Sequence, residues 1–167
     1  MKTITTSIAS IVLATAAALT ATPASAADSK IYAGEMCSPN KDDSTVSHFW
    51  GRLKNASATT TNFECPVVRD QTGTKINHGD AWVINQNYNQ SLSCTLGLLL
   101  PLSGGVSGAS GFFSTRSTAV VSSAPQKLAS FGSLGHLLNG YAAMICSIPG
   151  VYNGQQSGLV SYHVNEA

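Results

Sequence analysis

Residues 62–73, NFECPVVRDQTG, decide the fold. Phe63, Cys65 and Val67 alternate with Asn62, Glu64 and Pro66, the period of a half-buried β-strand. Cys65 therefore shares the apolar face. Pro66 has no N–H to give to a ladder, which confines it to an edge strand or a bulge. A cysteine before proline can also ligate haem, and reactive cysteines occur in C-x-x-C pairs. No second cysteine stands three residues from Cys65, and no histidine lies close by. Cys65 reads as a structural cysteine in a disulfide.

Outward from this strand, turn residues recur every eight to twelve positions with alternating apolar residues between them, the spacing of an all-β sandwich or barrel. Candidate strands cover 30–36, 46–55, 62–69, 80–87, 91–96, 111–122, 140–148 and 158–165. The faces they offer a core are Phe49/Gly51/Leu53, Phe63/Cys65/Val67, Leu92/Cys94/Leu96, Ala142/Met144/Cys146/Ile148 and Val160/Tyr162/Val164. Segments 97–111 and 131–140 read as long loops, the second with room for one helical turn. The apolar LLLPL at 98–102 is expected to cap the sandwich end rather than meet a membrane or partner.

The chain opens as a secretory leader. Lys2 is followed by the uncharged apolar stretch 8–19, Pro23, and small residues at Ala24 and Ala26. Cleavage is expected after Ala26, with Ala27 the alternative, leaving a β-sandwich domain at 27–167. The apolar stretch is short for a bilayer span, and no cysteine at the cleavage point invites lipidation. Beyond Lys2, eight basic residues balance eight acidic ones and are scattered, which excludes the clustered basic surface of a nucleic-acid binder.

Four cysteines in an exported chain point to two disulfides, and they allow three pairings. The favoured one is Cys37–Cys65 with Cys94–Cys146. The first ties the N-terminal strand to the third. The second closes a loop of about fifty residues, worth roughly 4 kcal/mol in the chain-entropy account. Structural zinc needs close cysteine pairs, which are absent. His48, His78, His136 and His163 stand isolated, and Asp42-Asp43 lacks the rest of a calcium loop. No cofactor and no metal are expected. There is no G-x-S-x-G elbow. A Ser/His/Asp set could assemble in space from Asp80 with His78 or His163. A carboxylate pair could come from Glu35, Glu64, Asp70, Asp80 and Glu166, but no spacing selects one.

The aromatics carry the best binding signal. Tyr88 and Tyr152 sit in amide-rich turns, NQNYNQ and VYNGQQ, which combine flat apolar surface with donors and acceptors. Trp50 falls opposite Phe49 and Leu53 and is expected to face outward, whereas Trp82 shares a face with Ile84 and is expected in the core.

The frame of Cys37, GRLKN (51–55), FECPVVR (63–69), WVIN (82–85), SLSCTL (91–96), YAAMICSIP (141–149) and SGLVSYHVNE (157–166) resembles a loose class of short secreted bacterial four-cysteine β-proteins of unknown function. The resemblance covers Cys37 to Glu166 and implies the fold and a bacterial origin, and hence no use of the sequons at Asn55 and Asn89. It carries no catalytic residue. The combined expectation is a secreted or periplasmic, disulfide-bonded, antiparallel β-sandwich, jelly-roll-like. It would be a binding module for a glycan or protein surface through Trp50, Tyr88 and Tyr152. The alternatives are a hydrolase with a spatially assembled site and a subunit assembling through edge strands.

Overall fold

In the computed structural model, residues 28–40, 45–70, 74–100 and 111–167 are described. The expected leader, the Asp42-Asp43 turn and the Pro101–Leu102 end of the apolar loop lie outside those residues.

The alternating segments form eleven strands: β1 Ser29–Ala33, β2 Ser38–Pro39, β3 Val46–Phe49, β4 Arg52–Asn55, β5 Thr61–Val67, β6 Ile76–Ile84, β7 Leu92–Leu99, β8 Gly111–Thr118, β9 Gln126–Leu128, β10 Tyr141–Ile148 and β11 Gly158–Glu166. One sheet runs β3-β4-β11-β6-β9 with β1 also paired to β11, and the other runs β2-β5-β10-β7-β8. All pairs are antiparallel. The pairs β4/β11, β5/β10, β6/β9 and β7/β8 nest inside one another, and the chain switches sheet at most connections. That nesting is the double-sheet jelly roll.

The inner faces meet in a core of Phe63, Cys65, Leu92, Leu96, Leu98, Met144 and Ile148 from one sheet and Leu53, Ile76, Val83, Leu159 and Tyr162 from the other. Each large apolar side chain buried there contributes about 1.5–3 kcal/mol. Phe131 and Leu134 plug the core from the 131–140 loop, held by their N–H bonds to Gly79 O and Ile76 O at 2.8 Å each. That loop contains no helical turn.

The sulfurs pair as Cys37–Cys65 and Cys94–Cys146, with no cysteine left free. Cys94 and Cys146 stand directly opposite on β7 and β10, so this bridge ties neighbours within one sheet. Cys37 lies where the chain crosses from β1 in one sheet to β2 in the other, and its bridge to β5 anchors that crossing. β2 pairs only with Phe63 and Glu64, so β5 is an edge at Pro66. There the Pro66 carbonyl accepts the Tyr162 hydroxyl at 2.5 Å.

Four details depart from the sequence reading. Segment 46–55 is a hairpin, not one strand. Trp50 and Gly51 both take positive φ, 53° and 75°, as a two-residue turn between twisted strands requires. Phe49 is consequently exposed while Leu53 is buried. In β11 a register shift between Leu159 and Ser161 moves Val160 off the inner face. Trp82 is not in the core: it is 40% exposed on the outer face of β6, while Ala81 and Val83 point inward. Ile84 does share the outer side with Trp82, but it is covered beside Arg52, Lys54 and Gly158 without joining the core. β7 runs on to Leu99, into the expected loop.

Candidate functional site

After β6 the chain turns through Asn85–Gln90, and two buried asparagines fix the turn. Asn85 Nδ2 donates to Gln90 O at 3.1 Å and Thr118 O at 3.3 Å. Its Oδ1 accepts from Asn87 N at 3.1 Å and from the Ser157 hydroxyl at 3.3 Å. Asn87 Nδ2 donates to Gly150 O at 3.2 Å, and its Oδ1 accepts from Asn89 N at 2.9 Å. A buried amide left unpaired is costly, so these bonds hold one turn geometry. The second turn closes by reciprocal Tyr152–Gln155 backbone bonds of 3.0 and 2.9 Å, with Asn153 and Gly154 at φ 49° and 74°.

Asn87 thereby ties the two turns together through Gly150, and the rings of Tyr88 and Tyr152 meet at 6.0 Å, inclined by 52°. Tyr88 is 75% exposed. Beside it lies a groove of about 520 Å³ lined by Gln86, Tyr88, Val121, Ser122, Ser123 and Gln155. The lining is amide, hydroxyl, one aromatic ring and the aliphatic Val121, with no charged side chain. Trp50 is not part of it. It is 85% exposed in the β3–β4 turn, against Phe49 at 5.9 Å, at the other end of β4 from Asn55, whose N–H bonds Ser157 O. Of the three expected binding residues, the structure brings two together.

The Asn55 side chain is fully buried, donating to Thr59 O and Ile148 O. That sequon is closed to modification in the folded domain. Asn89 is exposed.

A second groove, of about 340 Å³, opens on the outer face of the six-stranded sheet. It is lined by Ile31, Asp80, Trp82, Lys127, Ser161 and His163. Cross-strand register builds it: Ile31 faces His163, His163 faces Asp80, and Trp82 stands between Ser161 and Lys127. Asp80 Oδ1 accepts from Ser130 N at 2.9 Å, and its Oδ2 lies 3.0 Å from Lys127 Nζ and 3.6 Å from His163 Nδ1. Burial pushes the Asp80 carboxyl up, but the Ser130 N–H and the Lys127 ammonium outweigh it and hold the group below the ordinary carboxylate range. His163 Nε2 is 2.7 Å from Ser29 Oγ, and the His78 ring meets His163 edge-on at 5.3 Å.

Ser29, His163 and Asp80 thus stand in the order of a Ser/His/Asp set. The 3.6 Å gap exceeds a hydrogen bond, and Lys127 holds the carboxylate oxygen that would orient the imidazole. In the sequence His78 and His163 stand isolated, and either one joins Asp80 only in a set that could assemble in space. The available signal was H-x-D at 78–80, which on a strand puts both side chains on one face.

No protein-family model and no curated protein matches the chain. Solved structures align with it. The GH26-CBM35 β-(1,4)-mannanase of Podospora anserina aligns with TM-score 0.50 and 12% identity, over 83% of this chain and 28% of that one. The CBM22-2 xylan-binding domain of Paenibacillus barcinonensis Xyn10C aligns with TM-score 0.49 and 12% identity, over 78% and 88%. The low-affinity xylan-binding module CBM86 from Roseburia intestinalis gives 0.48 and 10%, over 84% and 96%. At 12% identity the alignment with the mannanase is a likeness of fold alone.

Proposed function

We propose that the protein is an exported glycan-binding module that takes a short run of sugar residues in the groove beside Tyr88 and Tyr152. The observation that supports this is an uncharged groove of amides and hydroxyls with Tyr88 in its lining, where the Tyr88 ring is met from behind the lining by that of Tyr152. Sugar rings offer C–H faces for aromatic contact and hydroxyls for Gln86, Gln155, Ser122 and Ser123. A groove without charge suits a neutral polymer better than an acidic peptide. The asparagine bonds set the turns before ligand arrives, so little ordering entropy opposes binding. Export fits the two disulfides and the leader-like start of the sequence.

A glycan array probed with the mature protein tests the reading, with xylan and mannan fragments included. Specific signals that fall in Tyr88→Ala and Tyr152→Ala, with unchanged thermal melts, support it. An array without signal, or signals indifferent to both substitutions, contradicts it.

A further inference from the structure

We propose that His78, Asp80 and His163 form a binding site for a divalent transition-metal ion of the zinc class on the outer face of the six-stranded sheet. The three donors come from two paired strands. β6 projects His78 and Asp80 from alternate positions, and β11 sets His163 opposite Asp80 and Asn165 opposite His78. One ligand atom from each residue lies within 4.8 Å of the others. The His163 Nδ1 to Asp80 Oδ2 separation of 3.6 Å is too long for a hydrogen bond. It is close to the ~3.4 Å expected between two donors each about 2.1 Å from a tetrahedral ion.

The surroundings prepare the donors. If His163 donates its Nε2 proton to Ser29 Oγ at 2.7 Å, the Nδ1 lone pair faces the cluster. A metal-bound histidine is ordinarily oriented through its other ring nitrogen in this way. Asp80 is likewise fixed, its Oδ1 taking the Ser130 N–H and its Oδ2 lying toward His163. Two imidazoles and one carboxylate suit zinc-class ions and not calcium, which takes oxygen ligands. Three protein donors leave a tetrahedral ion a fourth position for water or another ligand, and Asp80 and His163 also line the groove that holds Trp82. The ammonium of Lys127 competes at 3.0 Å from Asp80 Oδ2, but its half-exposed side chain can swing away.

The site does not depend on the Tyr88–Tyr152 reading, since the two grooves share no lining residue. Untagged mature protein, stripped with chelator, is titrated with Zn²⁺ by calorimetry and with Co²⁺ by visible absorption. One equivalent should bind. Asp80→Asn should weaken affinity about 10- to 100-fold, and His78→Ala and His163→Ala at least as much. Lys127→Ala should tighten it several-fold, which a merely structural cluster would not show. Circular dichroism of each variant separates lost donors from lost fold. Should Asp80→Asn or either histidine variant unfold, Lys127→Ala and the Co²⁺ spectrum of the unaltered protein decide. Failure to bind one equivalent, equal affinity in folded histidine variants, or Lys127→Ala without gain overturns the proposal.

Discussion

Replacing Asn85 with alanine tests how the tyrosine groove is held. The side chain is fully buried and makes four hydrogen bonds. Two lie in buried surroundings, from Asn87 N and the Ser157 hydroxyl, and alanine leaves both donors without an acceptor. The other two, to Gln90 O and Thr118 O, are part-buried, and water can replace them. At about 1.5 kcal/mol for each of the first pair and about 0.5 for each of the second, the loss is about 4 kcal/mol. A domain of this size holds about 5–15 kcal/mol, so the variant should still fold. With a slope of about 2 kcal/mol per molar urea, the unfolding midpoint should fall by about 2 M. Equilibrium urea unfolding by far-ultraviolet circular dichroism measures it. Glycan affinity should fall too, although Asn85 does not line the groove, because Tyr88 rides on the turn it pins. A stability loss under about 1 kcal/mol would refute the claim that this amide organises the turn.

Other outcomes follow from the same structure. Trp50→Asn should raise stability by about 0.5–1 kcal/mol in urea unfolding, because asparagine tolerates the left-handed conformation that Trp50 holds at φ 53°; an unchanged or lower midpoint counts against a strained turn. Burial raises the Tyr162 hydroxyl above its ordinary value, helped by Tyr32 stacked at 4.9 Å, and burial also raises Tyr32. The folded state keeps these protons while the unfolded chain releases them near pH 10, so stability present below about pH 10 is lost as pH rises further. The urea midpoint should drop above that pH and drop less in Tyr162→Phe; a flat profile to pH 11.5 argues against it. Cys94→Ala with Cys146→Ala removes a bridge between residues 52 apart and should lower stability by about 4 kcal/mol, read as a urea shift of about 2 M. No shift would mean that the β7–β10 ladder and its packing suffice alone.

Much of the fold was legible because alternation is a local signal. Phe63, Cys65 and Val67 could be placed inward from seven residues, and the same reasoning aligned Cys94 and Cys146 with apolar neighbours. The nested strand order, by contrast, depends on pairing over long separations, such as Leu53 with Leu159. Trp50-Gly51 was misread because Phe49, Gly51 and Leu53 mimic a continuous strand, and only the glycine hinted at a reversal. For Trp82 the parity with Ile84 was sound, but parity does not say which face is the core, and flanking Ala81 and Val83 took it. The tyrosine turns could be marked as amide-rich loops. Their meeting could not, because it depends on Asn87 reaching Gly150. The H-x-D spacing sets His78 and Asp80 on one face of a strand, but His163 joins them only through the β6–β11 register, which no spacing in the chain encodes.

The central claim is that the Tyr88–Tyr152 groove receives the glycan. Amide chemical shifts of isotope-labelled protein spanning residues 27–167, followed during titration with the strongest array ligand, test it most directly. The account predicts saturable shifts concentrated at Gln86, Tyr88, Ser122 and Gln155, and little change around Trp50. Shifts centred on Trp82 and His163, or none at saturating sugar, would contradict it.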